Sequence, residues 1–120
     1  MKQKQVKTYN DGVLRLYNRK DIRSQAGAKV NIQSMHDLEY VCSIDYRQKS
    51  CRQEDYEFAD QMGKQLSYKL VTPYSEFPST KMIGKINSKL YSIINIDQDR
   101  INRELYFYLE EVRTIDEGDT

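Results

Sequence analysis

Between residues 66 and 112, apolar and polar side chains alternate in short runs broken by turn signals, a pattern that points to a small β fold. Leu66, Tyr68 and Leu70 alternate with Ser67 and Lys69, and Pro73 ends the run because it has no N–H for a ladder. Residues 74–80, which include Pro78, read as a loop. Residues 81–86 and 90–96 read as a hairpin joined through Asn87, Ser88 and Lys89, followed by a polar turn at 97–103. In the last run, 104–112, Leu105, Phe107 and Leu109 share one face while Tyr106 and Tyr108 share the other. A strand that is apolar on both faces is either central or pressed against a partner.

Upstream, Asn10, Asp11 and Gly12 form a turn signal before a short strand at 13–17. Residues 18–37 are weakly patterned, with Gly27 between alanines and Ile22, Val30 and Ile32 as the anchors, so a long loop with a short strand near 30–32 is expected. Residues 38–46 form a clearer strand. Leu38, Tyr40, Cys42, Ile44 and Tyr46 are expected on one face, with Val41 a mild break in the alternation.

The period then changes to that of a helix. Ser50 with Gln53 has capping-box spacing, and Glu54, Asp55 and Glu57 suit the positive end of a helix dipole. Tyr56, Ala59 and Met62 fall on one face, and Gly63 is the stop. The expected fold class is mainly β: a small β-barrel or open sandwich with one short inserted α-helix and long loops. The helix should pack across one end or face. The expected organisation is a flexible arm at 1–11, one barrel domain at 12–113 and an acidic tail at 114–120.

The 120 residues suit one domain. A chain of this size removes roughly two thirds of its unfolded surface from water, enough to fold without staples. Ten Tyr, three Phe and no Trp suit half-buried strands and protein interfaces alike. The net charge of +1 argues against a surface that embraces nucleic acid as a whole, but the charge is uneven. Residues 1–36 are +6, residues 37–109 are −1 and residues 110–120 are −4. Opposite ends of this kind suit head-to-tail assembly in a ring or the steering of two different partners, or are simply solvated tails. Cys42 and Cys51 lack metal spacing and read as reduced, small apolar residues. No 18-residue apolar run and no signal-peptide pattern is present, so a cytoplasmic protein without membrane partners is expected.

No set of residues points to catalysis, a cofactor or a metal. His36, the single histidine, has no nearby cysteine or paired carboxylates. Asp97 and Asp99 lack the glycine and terminal glutamate of a calcium loop, and Glu110 with Glu111 suits a solvated strand end. Gly27 and Gly84 stand alone and form no phosphate cradle. Arg15, Arg19, Lys20 and Arg23 cluster beside Tyr17, as a phosphate-contacting patch or a solvated edge. A barrel that stacks single strands on tyrosines is the nucleic-acid alternative.

The order of these parts resembles the head-closure (head-tail joining, or stopper) proteins of long-tailed bacteriophages. The resemblance spans residues 12–112. It lies in the opening strand and variable loop, the helix at 52–62 with its Gln53, Glu54, Asp55, Tyr56 core, and the strand at 66–72. The Thr72, Pro73, Tyr74 corner, the hairpin at 81–96 and a closing strand ending in Leu109, Glu110, Glu111, Val112 follow. The basic loop at 18–37 departs from the family pattern.

The resemblance implies a non-enzymatic virion protein, assembled in the host cytoplasm, with no cofactor. Its subunits form a homo-oligomeric ring below the portal and adaptor and above the tail terminator and tail tube, and packaged double-stranded DNA passes through the channel. The ring extends the channel, helps retain DNA and receives the tail. Carried over, the segment projecting toward the channel is 50–64, with Gln53, Glu54, Glu57, Asp60, Gln61 and Lys64 as candidate channel-facing residues. For contacts with neighbours, Tyr17, Arg19, Arg23, Tyr74, Phe77, Tyr106 and Tyr108 are the candidate interface residues read from the strands and loops. Another connector or tail-terminator subunit is the alternative within the same particle.

Overall fold

The run at 104–112, apolar on both faces, is a central strand. In the computed structural model, which describes residues 8–20 and 35–115, six antiparallel strands close into a barrel. The strands are β1 (Gly12–Arg19), β2 (Leu38–Lys49), β3 (Tyr68–Pro73), β4 (Ile83–Ile86), β5 (Lys89–Asp99) and β6 (Glu104–Thr114). Their order around the barrel is β1-β2-β3-β6-β5-β4, closed by β1 against β4. One helix, α1 (Gln53–Gln61), is inserted between β2 and β3.

The main core is the barrel interior. Leu14, Leu16, Leu70, Phe107 and Leu109 are fully buried there, joined by Tyr46, Tyr91 and Ile93. Gly84 is required where β4 crosses β1, because a Cβ at that position would sit 2.9 Å from Leu14 Cδ1. Two smaller clusters lie on the outer surface of the sheet. Tyr17, Leu38, Ile83, Leu90 and Ile115 form one. Ala59, Leu66, Ile94 and Tyr108 form the other, beneath α1.

Three β-bulges account for the departures from simple alternation. Leu16 pairs Cys42 and Tyr17 pairs Tyr40, so Val41 is the extra residue. The bulge splits the face expected for residues 38–46: Leu38 and Tyr40 point outward, while Cys42, Ile44 and Tyr46 turn inward. In β5, Ile93 pairs Leu109 and Asn95 pairs Tyr108; Ile94 is therefore the extra residue and reaches the cluster under α1. The third bulge falls at Val112 in β6.

Two element boundaries also differ from expectation. The polar stretch 97–99 continues β5, and the turn is confined to residues 100–103, with Arg103 left-handed at φ 54°. β6 runs on to Thr114, and Ile115 beyond it is buried, its N–H donating to the Ser88 carbonyl at 2.6 Å. At the other end of the chain Tyr9 lies against the barrel, donating from its hydroxyl to Glu104 Oε2 at 2.7 Å. Most of the expected loop at 18–37, including the strand near 30–32 and Arg23, lies outside the described residues, as do the first seven residues and 116–120.

Candidate interaction surface

The helix starts two residues later than its expected cap. Arg52, not Ser50, is the N-cap, and Asp55 at the third helical position accepts the Arg52 N–H at 2.9 Å. A carboxylate reaches back to an amide better than the longer, uncharged Gln53 side chain would from its place at the helix start. Gly63 ends the helix at φ +70°. The Gly63 N–H bonds to the Asp60 carbonyl and the Lys64 N–H to the Ala59 carbonyl, the pairing of a Schellman cap.

Asp55 and Ala59 are the buried residues of α1, while Tyr56 and Met62, expected beside Ala59, are about half exposed. The surface beneath explains this choice. Lys69, which alternates with the apolar residues of β3, is covered by the helix and donates to Asp55 Oδ2 at 2.9 Å. The side chains of this pair are only 5% and 8% exposed. The Lys69 ammonium also lies 5.3 Å from the Tyr108 ring centre and 5.9 Å from that of Tyr106. Burial alone would raise the Asp55 carboxyl, but the Arg52 N–H and the Lys69 and Arg52 charges outweigh it and hold the group below the usual carboxylate range. Burial, with the nearby carboxylates of Asp97 and Asp55, pushes the Tyr108 phenol well above its ordinary value.

Successive helical residues are rotated by about 100°. With Asp55 and Ala59 turned to the barrel, Gln53, Glu54, Glu57, Asp60 and Gln61 lie along the opposite ridge. All five are exposed, as is Lys64 just beyond the cap. The candidate channel-facing residues therefore share one solvent-facing, net acidic surface.

The candidate interface residues are not brought together. Tyr17 and Tyr108 are buried in the two outer clusters, which removes them from the surface. Tyr106 is half-buried against Lys69, and Arg19 is half-buried at the end of β1. Tyr74 and Phe77, in the loop from β3 to β4, are exposed by 50% and 62%. That loop adjoins the β5–β6 turn, where the Tyr74 N–H donates to the Arg103 carbonyl and Ile101 is 93% exposed.

A feature missed in the sequence is a groove of about 1020 Å³ on the outer face of β2, β3, β6 and β5. It is lined by Arg47, Lys49, Arg52, Lys69 and Arg100, against Asp97 and Asp99. These cations come from distant parts of the chain, so no run of basic residues signals the groove. Its end near Arg47 is organised by Glu104, which is 2% exposed and takes Arg47 Nη2 at 3.4 Å as well as the Tyr9 hydroxyl. Arg47 also donates to the Thr8 carbonyl and lies over the Tyr9 ring.

Among the described residues, no three His, Cys, Asp or Glu side chains converge as a metal-binding set, and no helix is long and apolar enough to cross a membrane. His36 lies on a short 3-10 turn, Met35–Asp37, and both cysteines are free thiols. Compared with known protein families and with characterised proteins, the chain matches none.

Proposed function

We propose that this chain is a non-enzymatic structural subunit: a head-closure (stopper) ring protein at the head-tail connector of a long-tailed phage. The reading rests on the acidic outer ridge of α1, the one α-helix among the described residues, inserted between two strands of a small closed barrel. A channel wall must let DNA slide, and a ridge bearing Glu54, Glu57 and Asp60 repels phosphates instead of gripping them. The barrel supplies a rigid base, since α1 is tied to it by the buried Asp55–Lys69 pair. Exposed apolar side chains at Tyr74, Phe77 and Ile101 suit contacts with neighbours above or below the ring.

A nucleic-acid-binding barrel is the competing reading, favoured by the cationic groove. Stacking platforms, however, need open aromatic faces. Tyr108 is buried and Tyr106 half-buried, with Lys69 against both rings.

The direct test is deletion of the gene from the phage that carries it. Particles should package DNA, lose it on standing and remain tailless by electron microscopy. Stable DNA-filled heads joined to tails in the deletion strain would exclude the reading.

A further inference from the structure

We infer that the cationic groove receives the acidic stretch Asp116, Glu117 and Asp119 of a second copy of this chain, giving a head-to-tail contact. The inference rests on the ring reading above and names the contact that such a ring would use.

The groove carries cations in excess. Lys69 is engaged by Asp55, and Arg47 by Glu104. Lys49 and Arg100 have no ion-pair partner among the described residues. Arg52 is 64% exposed, and its contacts with Asp55, already taken by Lys69, and with Glu54, itself 73% exposed, are long at 3.7 and 3.8 Å, leaving guanidinium N–H groups open to a further anion. On the opposite wall, Asp97 is held beside the Tyr108 hydroxyl and accepts a hydrogen bond from Asn95 Nδ2. Asp99 is occupied by Asn102, through both its backbone N–H and its side chain. Three cations therefore remain available: Lys49, Arg52 and Arg100.

Three carboxylates match them, within four residues of Ile115. Ile115 itself is fixed, buried to 2% and bonded to the Ser88 carbonyl. It lies at the end of the barrel far from the groove. Tyr106 and Tyr108 line the groove, and Ile115 is nine and seven residues further along the same chain. At a rise of about 3.3 Å per residue, that is roughly 23–30 Å of barrel wall. Four extended residues reach at most about 14 Å from Ile115. Asp116 and Glu117, one and two residues past Ile115, fall short of their own groove even with their side chains extended, so the stretch as a whole fits only that of another copy. A patch at one end meeting a different patch at the other is the heterologous contact from which rings are built.

Self-association of the full chain by sedimentation velocity, at low salt and up to millimolar concentration, tests the contact. Two charge-reversed chains are compared, K49E/R100E and D116K/E117K/D119K. Each should weaken association by about tenfold or more, the scale of a few screened surface pairs acting together. An equimolar mixture of the two should restore it, because each supplies the complement of the other; the rescue also separates lost contact from misfolding. If the wild-type chain associates and both reversed chains associate equally well, the groove contact is wrong and the ring reading survives. If the wild-type chain stays monomeric throughout, both fail. If it stays monomeric and instead binds a single-stranded oligonucleotide, with K49E/R100E abolishing that binding, the groove takes nucleic acid and the inference is overturned.

Discussion

Replacing Asp55 with alanine should be among the most damaging single changes outside the barrel interior. The substitution leaves the Lys69 ammonium 5% exposed beneath α1 without its carboxylate. Stranding one member of a buried pair costs about 3–5 kcal/mol. Lost capping of the Arg52 N–H adds about 0.5–2 kcal/mol. The Tyr106 and Tyr108 rings, beside the ammonium in both chains, keep the cost of stranding it toward the lower end of that range. The net expectation is a loss of about 3–5 kcal/mol, out of a total of about 5–15 kcal/mol for a domain of this size. In urea, with a slope of about 1–3 kcal/mol per molar, the midpoint should fall by about 2 M.

The companion chain D55A/K69M removes both charges and fills the site with a flexible apolar side chain. It should lie within about 1.5 kcal/mol of wild type, because a buried pair is close to neutral against apolar residues of similar volume. A double-mutant cycle should therefore give a coupling of at least about 2 kcal/mol. A cost below about 1 kcal/mol for D55A, or a double variant as unstable as the sum of its singles, would refute the claim that this pair anchors the helix.

Further outcomes follow from other contacts. Because Asp55 titrates lower in the folded chain than in the unfolded one, its contribution is complete above its unfolded pKa and fades as pH falls through the lower folded value. The stability gap between D55A and wild type, read from urea midpoints, should therefore hold at neutral pH and narrow below about pH 4. Gly84→Ala should cost about 1–3 kcal/mol, since its Cβ would press on Leu14 in a packed core. Gly63→Ala, with open space around it but a left-handed backbone, should cost about 1 kcal/mol, and Gly63→Asn less; thermal melts rank all three. Tyr9→Phe removes a hydrogen bond to buried Glu104 and should cost about 1–2 kcal/mol. It should also speed hydrogen exchange at the Asp11 amide, which bonds to the Tyr46 carbonyl.

The barrel was legible in the sequence wherever one face of a strand is dry and the other wet. Leu105, Phe107 and Leu109 announce their strand because all three point into the main core. Residues 97–99 did not, since this end of β5 is polar on both faces and largely exposed, although Leu105 and Glu104 opposite it in β6 are buried. A bulge cannot be seen as a break in period when the residue inserted, Val41, is itself apolar. The seat of α1 was misread for a related reason: the helix is held by Asp55 against Lys69, and two charges that bury each other look like two solvated ones. Capping by Asp55 was visible in the residue type, but the Ser50 spacing offered a competing start. The acidic ridge survived that error, because Glu54, Glu57 and Asp60 lie opposite whichever of the two edges is buried. The groove had no linear signature, its cations lying between residues 47 and 100.

Closure of the barrel by β1 and β4 is incomplete in one respect. β4 pairs only with Lys89–Ser92 of β5, and beyond that point the strand pairs with β6 alone. Among the described residues, one side of β5 from Ile93 to Asp99 therefore forms no ladder, a short template to which a foreign strand could add. Among its seven residues are Asn95, Asp97 and Asp99, and Asn95 Nδ2 is tied to Asp97 Oδ1 at 2.9 Å. Two like copies meeting along this edge would bring carboxylates together. The same side chains that hid the strand from a reading of the sequence thus guard its exposed backbone against edge-to-edge pairing.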